Sequence, residues 1–374
     1  MSESTSRVWL DIDLNAIKHN FQTVKFVSKP LKVMTVLKAD AYGLGIERIA
    51  QELVNSGADA IGVAELNEAL EVINLGVPVH ILGGLLPQEI EAVVRHDIVA
   101  PITDLAIAEL LNAEANRQNK TINCHLLIDT GMGRLGIKNN ILETIRQIVK
   151  LSNLNCNGIY SHFPVAYENA EFSKYQIDKF IEMLNTLKGE GIEFQDVHIA
   201  NSDGINNLSD ARKSPFTMVR CGINLYGVNE LVGAVNEELK PAVELKSRLV
   251  SVRKIEAGET IGYGRTYKLP KKMRIGTVCA GYADGVPLST SNRGWVIINN
   301  MLCPILGRVS MDYITVSLES APNAESGDEV TLIGQSDDYQ ITVEEWAQQM
   351  GSIPYQVICS FGNRVKRVYS NIER

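Results

Sequence analysis

The sequence contains no segment typical of a membrane protein or an exported protein. None of its apolar runs is long enough to span a bilayer, and residues 1–7 have no apolar signal core. Basic residues are also in the minority, because 36 lysine and arginine residues face 44 aspartate and glutamate residues, for a net charge of −8. This balance argues against nucleic acid as the main partner. We therefore expect a cytoplasmic protein with neither a membrane nor a nucleic-acid partner.

Cysteine and histidine are scarce, at six residues each. No two cysteines have the close spacing of a metal-binding or redox pair, and the histidines show no helical metal spacing. We therefore predict no metal site. We expect the cysteines to act mostly as small buried hydrophobes in a reducing cytoplasm. They are Cys124, Cys156, Cys221, Cys279, Cys303 and Cys359.

The length of 374 residues exceeds one ordinary core and predicts two domains. Between about residue 30 and residue 230, short apolar runs alternate with segments of helical periodicity, which predicts an α/β domain. Eight such units are typical of a (β/α)₈ TIM-like barrel. A doubly wound open sheet is the competing fold, but no glycine-rich dinucleotide turn follows the first strand. The strand candidates are Lys32–Lys38, Ala60–Ala64, Val79–Leu82, Ile98–Ile102, Asn123–Asp129, Asn157–His162, Asp196–Ala200 and Thr217–Leu225.

The pattern changes after about residue 235, where strand-like runs separated by turn residues predict a mainly β C-terminal domain. We place the barrel at residues 1–235 and the β domain at residues 236–374, with the polar stretch Asn229–Leu239 as the link. Trp295–Leu306 is predicted as one strand and Val343–Met350 as the one clear helix of the β domain. Arg7–Leu14 is an isolated strand that we expect to pair with this domain.

Lys38 ends an apolar strand and is the first candidate for chemistry. An ionised lysine is almost never fully buried without a partner, because its ammonium group loses water. Such a side chain either reaches solvent or loses its charge, and an imine with the aldehyde of pyridoxal phosphate is one way to lose it. From this segment alone, a strand-end lysine that reaches solvent is the better interpretation.

Four more reactive side chains follow or lie at the predicted ends of later strands. Arg134 follows the fifth strand, His162 ends the sixth, Ser202 follows the seventh and Arg220 lies in the eighth. The carboxyl ends of barrel strands carry the chemistry in this architecture, so these side chains and Lys38 would converge on one mouth. Each has an ordinary explanation when taken singly, as a capping serine, a surface arginine or a satisfied core histidine. Their shared position favours a site.

The surroundings of Arg220 indicate an anionic ligand. Arg220 lies in an apolar run, where an unpaired guanidinium is costly, so it needs an acceptor. Gly204 and Gly222 allow close backbone approach, and backbone amides together with Ser202 could cradle a phosphate. The planar, permanently charged fork of Arg134 suits a carboxylate or a phenolate.

At this point the sequence closely resembles the bacterial alanine racemases, which are pyridoxal-phosphate enzymes with a (β/α)₈ barrel and a β domain. The resemblance covers nearly the whole chain, and the order of its motifs makes it specific. The motifs are VLKADAYGLG at 36–45, DTGMGRLG at 129–136, HIANS at 198–202, MVRCGINLYG at 218–227, KPAVELKSR at 240–248, IGYGRTY at 261–267, GYADG at 281–285, GRVSMD at 307–312 and PYQVIC at 354–359.

The resemblance implies pyridoxal 5'-phosphate as the cofactor. Lys38 would form an imine with its aldehyde. Arg220 would face its pyridine nitrogen, with His162 and His198 in support. The phosphate group would be held by Tyr42, Ser202, Tyr355 and the backbone at Gly222 and Ile223.

The resemblance also implies a homodimer with shared active sites that interconverts L- and D-alanine. Lys38 and Tyr263 would be the two proton carriers on opposite faces of the substrate Cα, with Tyr263 supplied by the partner subunit. Arg134 would contact the cofactor phenolic oxygen and the substrate carboxylate, which the backbone of the partner subunit's Met311 would also reach. Tyr282 would line the entry. Such an isomerase would supply D-alanine as a peptidoglycan precursor.

The chain departs from the family pattern at two positions. Leu127 stands where many members have a carbamylated lysine that steadies the arginine of the site. Arg134 must therefore be held by a bound anion such as chloride or by a neighbouring side chain. Leu288 stands where an arginine is frequent, so the entry loses a positive charge.

These departures leave other functions open. A serine racemase or a broader amino-acid racemase would share the same fold. A barrel that binds pyridoxal phosphate without turnover would usually lack the β domain that carries Tyr263 and Met311. A related decarboxylase would need an acidic partner for the pyridine nitrogen in place of Arg220.

Overall fold

Strand β1 (Val8–Asp13) and helix α1 (Leu14–Val27) are the first elements of the computed structural model, which describes residues 6–166, 168–229 and 238–371. The Asp13 carboxylate starts the helix, because it accepts hydrogen bonds from the backbone N–H groups of Asn15 at 2.9 Å and Ala16 at 3.2 Å. The sequence analysis assigned no helix to this segment. α1 is therefore an element that the strand-and-helix pattern missed.

Eight parallel strands form a closed barrel. They are β2 (Lys32–Val36), β3 (Ala60–Val63), β4 (Val79–Ile81), β5 (Ala100–Ile102), β6 (Ile122–Leu127), β7 (Leu154–Tyr160), β8 (Asp196–His198) and β9 (Met218–Cys221). Ladder hydrogen bonds order them as β4-β3-β2-β9 and β5-β6-β7-β8. A bridge between His80 and Val99 joins the two groups on one side. On the other side the Arg220 amide donates to the Ala200 carbonyl at 3.0 Å. The predicted (β/α)₈ barrel is confirmed.

Helices cover the outside of the barrel or line its mouth. They are α2 (Lys38–Gly43), α3 (Ile46–Asn55), α4 (Leu66–Val72), α5 (Ile90–Arg95), α6 (Leu105–Arg117), α7 (Ile141–Ile148), α8 (Ala170–Gly189) and α9 (Ser202–Asn207). In α6 the buried residues Ala108, Leu111 and Ala115 recur at helical spacing. α6 begins at Leu105 because the carboxylate of the preceding Asp104 accepts from the Ile107 amide at 2.9 Å. Across the described ranges, no helix is long and apolar enough to cross a membrane.

A mainly β domain follows, as predicted. Its strands are β10 (Val243–Ile255), β11 (Thr260–Ile261), β12 (Tyr267–Lys268), β13 (Met273–Val278), β14 (Trp295–Ile298), β15 (Met301–Leu306), β16 (Ile314–Ser317), β17 (Glu329–Gln335), β18 (Gln340–Ile341) and β19 (Lys366–Ser370). The order β17-β14-β15-β16-β13-β10, with β10 also pairing β17, closes a six-stranded antiparallel barrel. Two helices, α10 (Val343–Met350) and α11 (Pro354–Cys359), follow β18.

Two details of this domain differ from the prediction. The single strand predicted over Trp295–Leu306 is a hairpin, since Asn299 and Asn300 both have positive φ angles, 49° and 56°. Such angles at both central residues make the tight turn that joins antiparallel strands. The prediction of one clear helix was also incomplete, because α11 follows α10.

Strand β1 belongs to the sheet of the C-terminal part of the chain. It pairs antiparallel with β10 and parallel with β19, so that Leu10 lies opposite Leu245 on one side and Arg367 on the other. The proposed domain boundary between residues 235 and 236 lies outside the described residues, as does most of the predicted link Asn229–Leu239. The chain therefore crosses between its two halves at least twice, once after β1 and once before β10.

The cysteines only partly follow the expectation. Cys124, Cys221, Cys279 and Cys303 are buried, but Cys156 is half-buried and Cys359 is exposed. The sulfur atoms of Cys124 and Cys156 lie 3.4 Å apart on the neighbouring strands β6 and β7. Pairing of those strands brings together two residues that are far apart in sequence, a proximity that spacing along the chain does not predict.

Candidate active site

A cavity of about 540 Å³ opens at the carboxyl ends of the barrel strands. Its size suits a small-molecule ligand. Most of the site residues predicted from the sequence line it: Lys38, Tyr42, Arg134, His162, Ser202, Arg220, Gly222 and Tyr355. The barrel therefore brings Lys38, Arg134, His162, Ser202 and Arg220 together as the strand-end argument predicted, and Tyr355 reaches the cavity from α11. Ile223 is buried directly after Gly222, at the start of a 3₁₀ helix.

Lys38 begins a left-handed helical turn. The four residues from Ala39 to Tyr42 in α2 have φ angles between 52° and 63°. Left-handed helical geometry costs about 1–2 kcal/mol per residue for L-amino acids, because Cβ crowds the following carbonyl. None of the four is glycine, so contacts from elsewhere in the fold must hold this turn.

Three distant side chains hold the left-handed turn. The Glu68 carboxylate of α4 accepts from the Ala39 amide at 2.5 Å and from the Ala64 amide at 2.8 Å. Arg367 of β19 donates to the Gly43 carbonyl at 3.0 and 2.7 Å, and the Tyr369 hydroxyl donates to the Leu44 carbonyl at 2.7 Å. These bonds fix the direction in which Lys38 leaves the strand.

The Lys38 amine is prepared to act as a neutral base or nucleophile. Burial strips water from the ammonium group, and the positive charge of Arg134 repels it, so the pKa of Lys38 is lowered from its usual value. The negative charge of Glu68 raises the pKa of Lys38 and so opposes this shift. A lysine with a lowered pKa at the mouth of a barrel is typical of carbonyl chemistry.

Beside Lys38, small and hydroxylated residues form a cradle for an anion, because the strand that leads into Lys38 pairs with the strand that leads into Gly222. The Gly222 amide donates to Ser202 Oγ at 3.0 Å. A Cβ at Gly222 would overlap the Tyr42 hydroxyl, so only glycine leaves this space open. Burial raises the pKa of Tyr42, which therefore stays a hydrogen-bond donor at neutral pH. Its ring packs against Tyr226 at 5.4 Å and Tyr355 at 6.0 Å between centroids.

Arg220 is fixed at the floor of the cavity by acceptors on two strands. Nη1 lies 2.7 Å from His198 Nδ1, and Nη2 donates to the carbonyls of Ser161 at 2.8 Å and Ile199 at 3.0 Å. Nη2 also lies 3.2 Å from His162 Nδ1. Burial lowers the pKa of Arg220 to about 10, which leaves the guanidinium charged at neutral pH. Both histidines predicted to support it lie in contact with it.

Arg134 lies in a glycine-rich loop after β6. The Asp129 carboxylate shapes this loop by accepting from the Gly131 amide at 2.9 Å and the Gly133 amide at 3.0 Å. Leu127 lies on the cavity wall and is 6% exposed. In the part of the chain that the structure describes, the Arg134 guanidinium makes no hydrogen bond or ion pair, which leaves it available to an anionic ligand.

Tyr263 and Met311 do not line this cavity within the chain. Both lie on the surface of the β domain, 72% and 52% exposed. Arg364 holds the Met311 segment, because it donates to Asp284 at 2.7 Å, to Asp312 at 2.7 Å and to the Met311 carbonyl at 3.4 Å. The β domain therefore presents these two predicted residues outward on ordered turns.

Comparisons with known proteins identify the family. The model of the alanine racemase N-terminal domain matches residues 12–230, and that of the alanine racemase C-terminal domain matches residues 242–369. The chain belongs to the alanine racemase family. The predictions of an isomerase and of alanine racemase activity are confirmed at this level.

Relatives within the alanine racemase family match over nearly their full length. The alanine racemase of Carboxydothermus hydrogenoformans is 38% identical over 97% of this chain and 99% of its own. The solved alanine racemase of Clostridium difficile 630 is 30% identical, has a TM-score of 0.91 and covers 98% of this chain and 97% of its own. The alanine racemase of Bartonella henselae, described with covalently bound pyridoxal phosphate, is 28% identical with a TM-score of 0.85, and the match covers 98% of this chain and 100% of that one.

Sequence reasoning missed a group of polar side chains beneath the site of this alanine racemase family member. Tyr160 stacks on the His198 ring with centroids 4.9 Å apart, and His125 and His80 continue the group into the barrel. One signal could have revealed it. Residues two apart on a strand point the same way, so His125 shares its side with the cavity residue Leu127, and Tyr160 with His162.

Proposed function

We propose that the protein racemises alanine with pyridoxal 5'-phosphate bound to Lys38. The observation that carries the proposal is that one cavity is lined by a desolvated lysine, by an anion cradle around Gly222 and by Arg220. The Bartonella henselae relative described with covalently bound pyridoxal phosphate supports this choice of cofactor.

The residues present fit this cofactor. The space that a Cβ at Gly222 would fill, with the Ser202 and Tyr42 hydroxyls around it, suits a phosphate group. The Ile223 backbone and the Tyr355 side chain would complete that cradle. When bound, the cofactor supplies an aldehyde for amines and a ring that withdraws electrons from the substrate Cα.

Two proton carriers on opposite faces of the substrate are enough for racemisation. Lys38 Nζ moves the proton on one face, and its lowered pKa favours the neutral amine that this requires. Tyr263 moves the proton on the other face. Arg134 orients the substrate carboxylate, because it lines the cavity and its guanidinium makes no hydrogen bond or ion pair with the described residues.

Arg220 controls what the ring nitrogen of the cofactor can do. A guanidinium only donates hydrogen bonds, so a nitrogen facing it must act as an acceptor and carry no proton. Arg220 would thereby limit how far the cofactor ring can stabilise negative charge on the substrate. Side reactions such as transamination are then suppressed. An acidic residue at this position would have the opposite effect, as a decarboxylase requires.

We further propose a homodimer in which each subunit completes the other's site. Large apolar side chains are exposed on the β domain and beside the cavity: Tyr263, Tyr282, Leu288, Met311, Tyr313 and Ile353. Exposed apolar groups of this kind mark interaction surfaces. In this arrangement the partner subunit's Tyr263 and Met311 would meet the cavity at Lys38, and Tyr282 would line the entry.

The cellular setting follows from the same proposal. No two cysteines are closely spaced along the sequence, which is typical of proteins that work in a reducing cytoplasm. We propose that the enzyme works there and supplies D-alanine as a peptidoglycan precursor. Alanine is the proposed substrate, and L-serine or other amino acids are tested beside it because Leu127 and Leu288 depart from the family pattern.

The test measures racemase activity and the covalent attachment of the cofactor to a lysine in the same protein. Purified protein with pyridoxal phosphate is incubated with L-alanine, D-alanine, L-serine, L-lysine or L-arginine, and the enantiomers are separated by chiral chromatography. Borohydride reduction followed by peptide mass spectrometry then locates the lysine that carries the cofactor. We expect alanine racemisation and the cofactor on Lys38, with both lost in Lys38→Ala. Preferred turnover of serine would change the substrate, and a colourless, inactive protein with no label on Lys38 would contradict the proposal.

A further inference from the structure

A line of polar side chains, with one gap of 3.8 Å between His125 and Asp196, runs through the interior of the (β/α)₈ barrel beneath Arg220. His198 Nδ1 lies 2.7 Å from Arg220 Nη1, and His198 Nε2 lies 3.0 Å from His125 Nδ1. His125 Nε2 has no hydrogen-bond partner in the described structure and points toward Asp196 Oδ2 at 3.8 Å. Asp196 in turn pairs with Lys32 at 2.7 Å, at the opposite mouth of the barrel.

Hydrogen-bonding rules assign every proton in this line. Arg220 can only donate, so His198 Nδ1 must accept and the single proton of a neutral His198 sits on Nε2. That Nε2–H donates to His125 Nδ1, so His125 carries its own proton on Nε2. Burial lowers the pKa of His125 to about 4 and that of His198 well below its usual value, so both rings are neutral at neutral pH. The His125 N–H therefore faces a carboxylate.

The backbone makes room for this arrangement. A Cβ at Gly158 of β7 would overlap the His125 ring, so glycine there is what allows the ring to lie across the barrel. His125 and His198 are 2% and 0% exposed. Burying two imidazole rings in a barrel interior costs more free energy than burying aliphatic side chains. A hydrogen bond between the two rings offsets part of this cost.

We propose that His125, together with Asp196, is a positioning residue that orients His198 so that Arg220 is held as a donor toward the cofactor ring nitrogen. The inference rests on the proposed function, since it deepens the role of Arg220 in the same site. His125 touches neither cofactor nor substrate. It acts by accepting the Nε2–H of His198, which keeps the Nδ1 lone pair turned toward Arg220. The Asp196 carboxylate strengthens this by attracting the proton at the far end of the line.

Other charged and titratable groups face the two rings. They are Lys32 from β2, His80 from β4, Tyr160 from β7, Asp196 from β8 and Arg220 from β9. His80 meets the His125 ring edge-on at 4.6 Å between centroids, without a hydrogen bond between them. His80 is therefore the matched control, since it is a buried histidine in the same interior that lies outside the line.

The test reads the ring protons directly. Protein labelled with ¹⁵N-histidine is studied by NMR as purified and after addition of pyridoxal phosphate, between pH 6 and 8. We expect wild-type His125 and His198 both to carry the proton on Nε2, with slow exchange with solvent. In His125→Phe the ring volume is kept but the acceptor is lost, so the His198 N–H signal should broaden or split. In His125→Gln the amide oxygen can accept, and the signal should be restored. His80→Gln should leave it unchanged.

Kinetics give the second readout. Partners that orient a ligand-binding group typically change activity by tenfold or more when removed, so we expect kcat for alanine to fall about tenfold in His125→Phe, with KM changed less than about twofold. His125→Gln should recover most of this loss. Thermal unfolding identifies variants that fold as the wild type does.

The outcomes separate the two proposals. A proton on Nδ1 of His198 in the wild type would overturn the inference. This measurement needs only the wild-type protein, so it remains decisive if His125→Phe does not fold. A folded His125→Phe with the wild-type His198 signal and full kcat would also overturn it. A wild-type protein that shows the expected ring protons but racemises no amino acid would instead refute the proposed function and leave the tautomer assignment in place.

Discussion

Acidification should destabilise the folded protein through its buried histidines, and His125 lets the size of the effect be calculated. Burial lowers the folded-state pKa of His125 to about 4, against an ordinary value of 6.5 in the unfolded chain. As the pH falls below about 6.5, the unfolded chain binds a proton at this residue while the folded protein does not. The free energy of unfolding must therefore fall with pH. The loss stops growing near the folded pKa of about 4, where the buried ring also takes up a proton.

The magnitude follows from these two pKa values. One proton of difference changes the free energy of unfolding by about 1.4 kcal/mol per pH unit, and integration from pH 7 to pH 5 gives a loss of about 2 kcal/mol from His125 alone. Burial lowers the pKa of His162 to about 3 and those of His80 and His198 well below the ordinary value. These histidines add losses of the same sign over the same range.

The assay compares urea unfolding of the wild type and His125→Gln at pH 7, 6 and 5 and at one protein concentration. Carboxylates that titrate in both proteins cancel in the difference. Below pH 6 the wild type should lose about 1 kcal/mol more per pH unit than the variant. His96 is exposed, so His96→Gln is the control and should retain the wild-type slope. Parallel curves for wild type and His125→Gln would refute a neutral, buried His125.

Three further substitutions test the site. Glu68→Gln turns an amide N–H toward one of the two backbone N–H groups that the carboxylate now accepts from; urea unfolding should show a loss of about 1–2 kcal/mol, and turnover should fall. Gly222→Ala displaces the Tyr42 hydroxyl, and fluorescence titration should show about tenfold weaker cofactor binding, whereas unchanged affinity would rule out this cradle. Tyr263→Phe should abolish racemisation, by a factor of at least about 10², with cofactor absorbance intact, and normal turnover would exclude Tyr263 as a proton carrier.

The barrel and the cavity floor could be predicted because they depend on local pattern. Apolar runs of strand length alternate with helical periodicity, and the residue that ends each run projects from the same mouth. Lys38, Ser202 and Arg220 needed no other information to be placed together. The hairpin at Asn299-Asn300 carried a local signal as well, since two consecutive asparagines between apolar runs are typical of a tight turn.

Features that depend on distant contacts could not be predicted. The left-handed turn at 39–42 contains no glycine, and nothing in its local sequence favours this conformation. It is held by hydrogen bonds with the distant residues Glu68, Arg367 and Tyr369. The line through His125 joins strands 73 residues apart in sequence. Tyr263 lies on the surface of the single chain, so its proposed contact with the cavity of a partner subunit depends on an assembly that no local pattern describes.

The first and last strands of the chain are neighbours in one sheet, and this affects how the protein can be synthesised and dissected. β1 pairs along one edge with β10 and along the other with β19, so both partners emerge from the ribosome long after it. During synthesis both edges of this six-residue strand remain unpaired until β10 and β19 are made. Unpaired strand edges promote association with other nascent chains. A fragment cut near residue 235 would retain this orphan strand permanently. A soluble barrel fragment should therefore begin at Asp13, which caps α1, rather than at the first residue.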